Sequence, residues 1–246
     1  MAPGFRDDLK EAWHTVAPPR DDPNGPLPPL LLLLTFVTGL VDAFSYLDLG
    51  HVFVANMTGN VVFLAFALVG ASGFSIAASL AAFGAFAFGS LVGGRLVVVS
   101  KDRGRMLMVA ASAEAALVLV GIALSAAAGS SASGGYRYAL IALLAVAMGV
   151  QNSTARKLAV PDMTTTVLTL TTTAMFADAR AVGGPGSRVG RRLASIFAMF
   201  CGALVGAALV IHGQRTVVLA IGAVLLATVA VAAAYAARGQ PEWARR

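Results

Sequence analysis

The stretch LPPLLLLLTFVTGLVDAFSYL, residues 27–47, contains a single charged residue, Asp42. A helix needs about 20 apolar residues to cross the hydrocarbon core of a bilayer, so this stretch predicts a transmembrane helix. Outward along the chain, the same reasoning predicts transmembrane helices at 74–98, 106–128, 137–155, 193–212 and 216–237, which makes six in all.

The composition places nearly the whole chain in a lipid bilayer. Of the 246 residues, 58% are hydrophobic and 12% are charged, and the mean hydropathy is +0.79, whereas soluble domains carry about 25% charged residues. The basic residues lie between apolar runs and not along one polar face, which excludes nucleic acid as an expected partner. The polar segments 1–26 and 238–246 are predicted to be cytoplasmic tails, and 1–26 lacks the pattern of a cleavable signal peptide.

Two further apolar segments are not assigned as spans from their sequence. Residues 52–70 begin with the polar cluster Asn56-Met57-Thr58-Gly59-Asn60, and residues 163–177 are short and rich in threonine. Each segment is compatible with a complete crossing or with a re-entrant hairpin, in which the chain dips into the membrane and returns to the same side.

An internal repeat divides the membrane region into two halves, 27–128 and 136–237. Three short motifs recur in the same order at an offset of about 110 residues. The matching pairs are 39–42 with 149–152, 56–62 with 162–168, and 89–93 with 202–206.

The distribution of lysine and arginine discriminates between two topologies. If both ambiguous segments re-enter, there are six spans, the halves form an inverted repeat, and 16 basic residues lie on the side of both tails, against Arg137 and Arg215 on the other. If both segments cross, there are eight spans in two parallel four-helix repeats, and the division is 11 to 7. The positive-inside rule favours an all-α membrane protein with six spans and two re-entrant half-helices, with both termini cytoplasmic in a bacterial inner membrane.

The two predicted hairpins indicate a transport site. Non-helical backbone at membrane depth is tolerated only where it is buried in protein or lines a watery cavity, and broken helices at corresponding places in two repeats are typical of transporters. The N-termini of such half-helices favour an anion or a polar solute, although helix capping explains the same residue types. The candidate substrate-binding residues are Asp42, Asn56, Thr58, Gly59, Asn60, Gln151, Asn152, Thr164, Thr165, Thr166 and Thr169.

Two carboxylates within predicted spans, Asp42 and Glu114, are candidates for proton or ion coupling, because a charge inside a membrane is costly and usually functional. The alternative for Asp42 is a buried carboxyl group that is hydrogen-bonded to the first hairpin. The repeat partner of Asp42 is Asn152, which has the same shape without the charge.

Glycines at four-residue spacing, Gly89 with Gly93 and Gly202 with Gly206, predict close helix packing, within the chain or in a homo-oligomer. The three histidines are too scattered to indicate a metal site, and no cofactor is expected. The sequence contains no nucleophile elbow, zinc-protease motif or phosphate-binding loop, so we do not expect an enzyme.

The motifs at 38–43, 52–60, 149–152 and 165–169 together resemble the YoaK-like family of bacterial membrane proteins, which is grouped under a domain of unknown function. The resemblance covers about residues 30–235 and implies six membrane spans, but it implies no substrate and no catalytic residue. The leading hypothesis is a transporter or channel for a small polar or anionic solute. The alternatives are a membrane sensor or assembly protein and, with less support, a lipid-modifying enzyme that uses Asp42 and Glu114.

Overall fold

A computed structural model describes residues 5–100, 102–128, 134–163, 165, 168–177, 188–239 and 241–245. Every regular element within these residues is a helix, and six of the helices are long and apolar enough to cross a membrane. The prediction of six spans is therefore confirmed. The helices are α1 (Phe5–Val16), α2 (Leu27–Asp48), α3 (Met57–Leu68), α4 (Ile76–Val99), α5 (Arg103–Ala128), α6 (Gly135–Leu158), α7 (Leu168–Ala177), α8 (Val189–Ile211), α9 (Arg215–Ala236) and α10 (Glu242–Arg245).

The two ambiguous segments contain the short helices α3 and α7, with 12 and 10 residues respectively. At a rise of about 1.5 Å per residue, neither helix is long enough to cross a hydrocarbon core of about 30 Å. The residues 52–56 before α3 have no helical structure. We call residues 52–70 the first hairpin and residues 163–177 the second hairpin.

Polar contacts show which helix ends lie together on one side of the bundle, which we call the far end. Arg215, the first residue of α9, pairs with Asp48, the last residue of α2, at 2.6 Å. Arg137, near the start of α6, donates from Nε to the carbonyl oxygen of Leu49 at 2.5 Å. The end of α2 and the starts of α6 and α9 are therefore neighbours.

The opposite side, which we call the tail end, holds the amino-terminal helix. The backbone N–H of Gly190, in the first turn of α8, donates to the side chain of Glu11 in α1 at 3.2 Å. Arg103, the first residue of α5, donates to the carbonyl oxygen of Leu158, the last residue of α6. The tail end therefore holds α1, the starts of α5 and α8, and the end of α6.

Each hairpin returns to the side from which it starts. His51 Nδ1 lies 2.9 Å from the carbonyl oxygen of Gly73, so the first hairpin begins and ends at the far end. Asp162 lies 2.7 Å from Nη2 of Arg192, in the first turn of α8, so the chain enters the second hairpin beside the start of the next span. α2, α4, α5, α6, α8 and α9 consequently alternate in direction between the two ends.

The glycines at the helix crossings explain how closely the spans pack. A Cβ atom at Gly39 of α2 would overlap the carbonyl oxygen of Met199 in α8, and one at Gly202 would overlap the carbonyl oxygen of Phe36. Gly206, one turn further along α8, faces the same helix. Only glycine permits the two backbones to approach to this distance.

A second crossing, between α4 and α6, has the same construction. A Cβ atom at Gly149 would overlap the carbonyl oxygen of Phe86, and one at Gly89 would overlap the carbonyl oxygen of Val146. Gly93 is equally enclosed by α6. Both predicted glycine faces are thus covered by helices of the same chain, so a surface between two copies of the protein would have to lie elsewhere.

Candidate functional site

The carboxylate of Asp42 organises the first hairpin. Asp42 is 3% exposed, and its Oδ1 accepts hydrogen bonds from the backbone N–H groups of Val54 at 3.0 Å and Ala55 at 2.8 Å. The side-chain amide of Asn56 donates to Oδ2. Backbone N–H groups outside a helix have no partner of their own, and no water is available at membrane depth, so the carboxylate satisfies them.

Asn60 of α3 forms hydrogen bonds to the extended part of the first hairpin. It is 1% exposed; its Oδ1 accepts from the N–H of Phe53 at 2.9 Å, and its Nδ2 donates to the Phe53 carbonyl at 2.6 Å. Gly59 leaves room for the ring of Phe53, because a Cβ atom there would lie 2.6 Å from that ring. Asp42, Asn56, Gly59 and Asn60 therefore meet in one compact structure, whereas Thr58 is exposed on α3.

The outer part of the first hairpin is filled with aromatic rings. The ring of Phe53 stacks on Tyr46 with centroids 5.2 Å apart and lies 5.4 Å from Phe63. Phe63 in turn contacts Phe74, with centroids 5.2 Å apart. The hydrogen bonds that Asp42 accepts from residues 54–56 match its alternative interpretation as a buried carboxyl group that is hydrogen-bonded to the first hairpin.

The second hairpin borders a cavity of about 570 Å³. Thr165 is 1% exposed, and its hydroxyl oxygen has no hydrogen-bond partner among the described residues. A buried hydroxyl without a partner is uncommon, because its desolvation is not compensated. The cavity is lined by Phe86, Ser90, Asn152, Ser153, Ala155, Arg156, Ala159, Val160, Met163 and Thr165.

The backbone that follows α6 forms one wall of this cavity. Ala159 and Asp162 have positive φ angles of 50° and 63°, so the chain turns sharply twice after α6. Such angles are unusual for residues other than glycine. The Asp162 carboxylate is held by Arg192, which is 6% exposed, and by Arg188 at 3.5 Å. This ion-pair cluster fixes the strained segment against the start of α8.

The polar atoms of the cavity include both donors and acceptors. The hydroxyl of Ser153 donates to the carbonyl of Val150 at 2.9 Å, and the amide of Asn152 donates to the carbonyl of Met148 at 2.9 Å. Both of these hydrogen bonds are thus directed at the residues' own helix. Arg156 is exposed and supplies a guanidinium group. A guanidinium group is a strong hydrogen-bond donor to carboxylate and phosphate groups.

The residues predicted as one site fall into two groups. The cavity is bordered by Asn152 and Thr165 but not by Asp42, Asn56 or Asn60, so the predicted residues do not all meet at this cavity. Three more predicted residues do not line this cavity in the described structure. Thr169 is exposed on α7, and Thr164 and Thr166 lie outside the described residues.

Gln151 and Glu114 are both fully enclosed within the bundle. Gln151 joins α6 to α2, because its amide donates to Thr38 Oγ1 at 2.7 Å and to the Leu34 carbonyl at 3.3 Å. Glu114, near the middle of α5, is 1% exposed, and its Oε2 has no hydrogen-bond partner among the described residues. Glu114 is therefore a buried carboxyl group whose hydrogen bonding is incomplete.

Sequence reasoning missed the polar contacts at the helix ends. Arg103 and Arg192 entered only as charges, and Asp48 was not considered. Asp48 and Arg103 each join two helices, and Arg192 holds Asp162 in the segment after α6. One signal was available for two of these contacts: the arginines that begin α5 and α9 occupy corresponding places in the predicted repeat.

Comparison with known proteins identifies a family. A family model described as "Protein of unknown function (DUF1275)" matches residues 30–232. The UPF0700 transmembrane protein YoaK of Bacillus subtilis (strain 168) is 33% identical over 149 residues, which are 61% of this chain and 65% of that protein. The match thus spans less than two thirds of that relative, and no solved structure matches the chain. This multi-pass membrane protein belongs to the DUF1275 family of proteins of unknown function.

Proposed function

We propose that this protein is a transporter or channel for a small polar or anionic solute, and that the cavity beside the second hairpin is part of the solute pathway. The observation that carries the proposal is the buried hydroxyl of Thr165, which has no hydrogen-bond partner among the described residues and borders a cavity of about 570 Å³. A solute or water molecule in that cavity would supply the missing hydrogen bond.

The predicted inverted repeat supports this assignment. Gly39 of the first half packs against Met199 of the second, and Gly149 of the second half packs against Phe86 of the first. Gly149 follows Gly39, and Met199 follows Phe86, by about 110 residues. Each half contributes three spans, so the halves have opposite directions in the membrane. Inverted repeats with broken helices are typical of proteins that expose one site alternately to the two sides of a membrane.

The two hairpins have different roles in this proposal. The first hairpin is a fixed support, because the oxygens of Asp42 accept three hydrogen bonds. The second hairpin borders the pathway. Proton coupling then falls to Glu114 in preference to Asp42, since one oxygen of Glu114 has no partner in the described structure. The positive-inside rule places the tail end in the cytoplasm.

The test measures whether the cavity contains water and solute. In a Cys201→Ser background, which removes the only cysteine, Thr165→Cys is expected to react with a small water-soluble thiol reagent, and the reaction is expected to slow when the solute is present. Candidate solutes come from a melting-temperature screen of small organic anions and neutral polar compounds on the wild-type protein.

The matched control is Thr169→Val, on the exposed side of α7, against Thr165→Val. Solute flux into proteoliposomes is expected to fall about tenfold or more for Thr165→Val only, which corresponds to the loss of one buried hydrogen bond. An unreactive Thr165→Cys would contradict the proposed pathway.

A membrane sensor or assembly protein is the second candidate, and the closed first hairpin favours it. Asp42 and Asn60 are both buried with their hydrogen bonds directed into the protein. A second hairpin that is equally dry in solution would support this alternative.

A further inference from the structure

Two arginines hold helix ends together at opposite sides of the bundle. At the far end, Nη2 of Arg215 lies 2.6 Å from Oδ1 of Asp48. At the tail end, Nη2 of Arg103 donates to the carbonyl oxygen of Leu158. In each contact, the first residue of one span binds the last residue of another.

The two contacts correspond to each other in the repeat. α5 and α9 are the last spans of the two halves, and α6 and α2 are the first spans. Arg103 and Arg215, like Asp48 and Leu158, are separated by about 110 residues, which is the offset of the repeat. The same contact is therefore built twice, once at each end, and each copy joins one half of the chain to the other through equivalent helices.

The chemistry of helix ends explains why an arginine is used at both places. The last carbonyl groups of a helix have no partner within the helix, and a cation is favourable there. Arg103 satisfies such a carbonyl directly at the end of α6. At the end of α2, Asp48 adds a negative charge with 5% exposure, and Arg215 compensates it.

Each contact also borders an opening. Asp48 and Arg215 line a cavity of about 500 Å³ together with Ser125 of α5. Arg103 and Leu158 line a cavity of about 420 Å³ at the tail end. The contacts thus lie where a passage from either end would begin.

We propose that these two contacts are latches that open in alternation, Arg215–Asp48 to admit solute from the far end and Arg103–Leu158 to admit it from the tail end. This inference rests on the proposed transport function and assigns it two gating residues. The described structure has both latches formed, which is the closed arrangement. The far latch is an ion pair and the tail latch is not, so neutralising Asp48 opens the far end alone.

The experiment measures access from each end without any solute. Single cysteines in the Cys201→Ser background serve as reporters: Ser125→Cys borders the far-end cavity, and Ser90→Cys borders the cavity beside the second hairpin. A membrane-impermeant maleimide is applied to either side of sealed vesicles, and labelling rates are normalised to the denatured protein.

Arg215→Gln is expected to raise the labelling rate of Ser125→Cys at least about threefold and to lower that of Ser90→Cys, because opening one end shifts the population away from the other. Arg103→Gln is expected to do the reverse. Asp48→Asn, which preserves shape, is expected to act like Arg215→Gln, and the exchanged pair Asp48→Arg with Arg215→Asp to restore the original rates.

Arg105→Gln is the matched control, since Arg105 is exposed two residues from Arg103. Labelling that rises at both reporters, or at neither, in the latch variants overturns the proposal. Reciprocal labelling without flux of any solute would preserve the latches and reject transport, whereas flux without reciprocal labelling would reject the latches alone.

Discussion

Asp42 shows how far a single residue can be interpreted from sequence. Its position in an apolar stretch predicts that it is buried and important. Whether it binds a solute or holds the chain depends on where the extended residues 52–56 lie, and no periodicity in the sequence gives that distance. The structure places Val54 and Ala55 within hydrogen-bonding distance of the carboxylate.

Asp42→Asn is therefore expected to destabilise the fold by about 1–3 kcal/mol. One carboxylate oxygen becomes an NH₂ group. That group cannot accept the hydrogen bond that Asn56 or the backbone N–H groups now donate to Asp42. The measurement is the free energy of unfolding in micelles by chemical denaturation.

Asp102→Asn is the control for that experiment, because Asp102 caps α5 by accepting from the N–H of Arg105 at 2.8 Å, and asparagine is an equally good cap. Equal stability of the Asp42 and Asp102 variants would show that Asp42 does not support the first hairpin.

At the scale of helices, the glycine patterns predicted close packing but not the partner. Spacing shows that Gly89 and Gly93 share one face of α4. It cannot show whether that face meets a helix of the same chain or of another copy, because both give the same pattern. The structure assigns the partner as α6.

Gly89→Ala is expected to lower the melting temperature markedly, since the added methyl group would overlap the backbone at Val146 and force the helices apart at a cost of about 1–3 kcal/mol or more. Gly84→Ala on the same helix is the control, because a Cβ atom there meets nothing within 4 Å. Similar melting temperatures for the two variants would contradict the crossing.

The hairpins were also predicted in part. Their residues left 52–70 and 163–177 open to crossing or re-entry, the charge distribution favoured re-entry, and the short helices α3 and α7 agree. The difference between a filled hairpin and one beside a cavity was not predicted. This difference between the hairpins arises from contacts between residues far apart in the sequence. An example is the ion pair of Asp162 with Arg192, which are 30 residues apart.

At the scale of the whole molecule, the arginine and lysine distribution discriminated between six and eight spans. That argument succeeded because the rule counts charges on loops and does not require side-chain positions. It gave no information on how the spans pack. The pairing of α2 with α8 and of α4 with α6 appears only in the folded structure.

Six spans with a re-entrant first hairpin place Ala71 on the side opposite to the tails. In the Cys201→Ser background, Ala71→Cys is expected to react with an impermeant maleimide added outside intact cells, whereas Asp21→Cys is expected to react only after the membrane is opened. Both positions are exposed in the structure. Eight spans would put Ala71 on the same side as Asp21, and protection of Ala71→Cys in intact cells would thus reject the six-span topology.

The glycine crossings have a consequence for biosynthesis. Both crossings join one half of the chain to the other, so α2 and α4 enter the bilayer before their partners α8 and α6 have left the ribosome. The first half therefore cannot complete its packing during its own translation. The bonds of Asp42 to Val54 and Ala55 are local in sequence and form as soon as the first hairpin is made. The hydrogen bonds of the buried carboxylate can thus form early in synthesis. The glycine faces of α2 and α4 stay exposed to lipid until the second half is inserted.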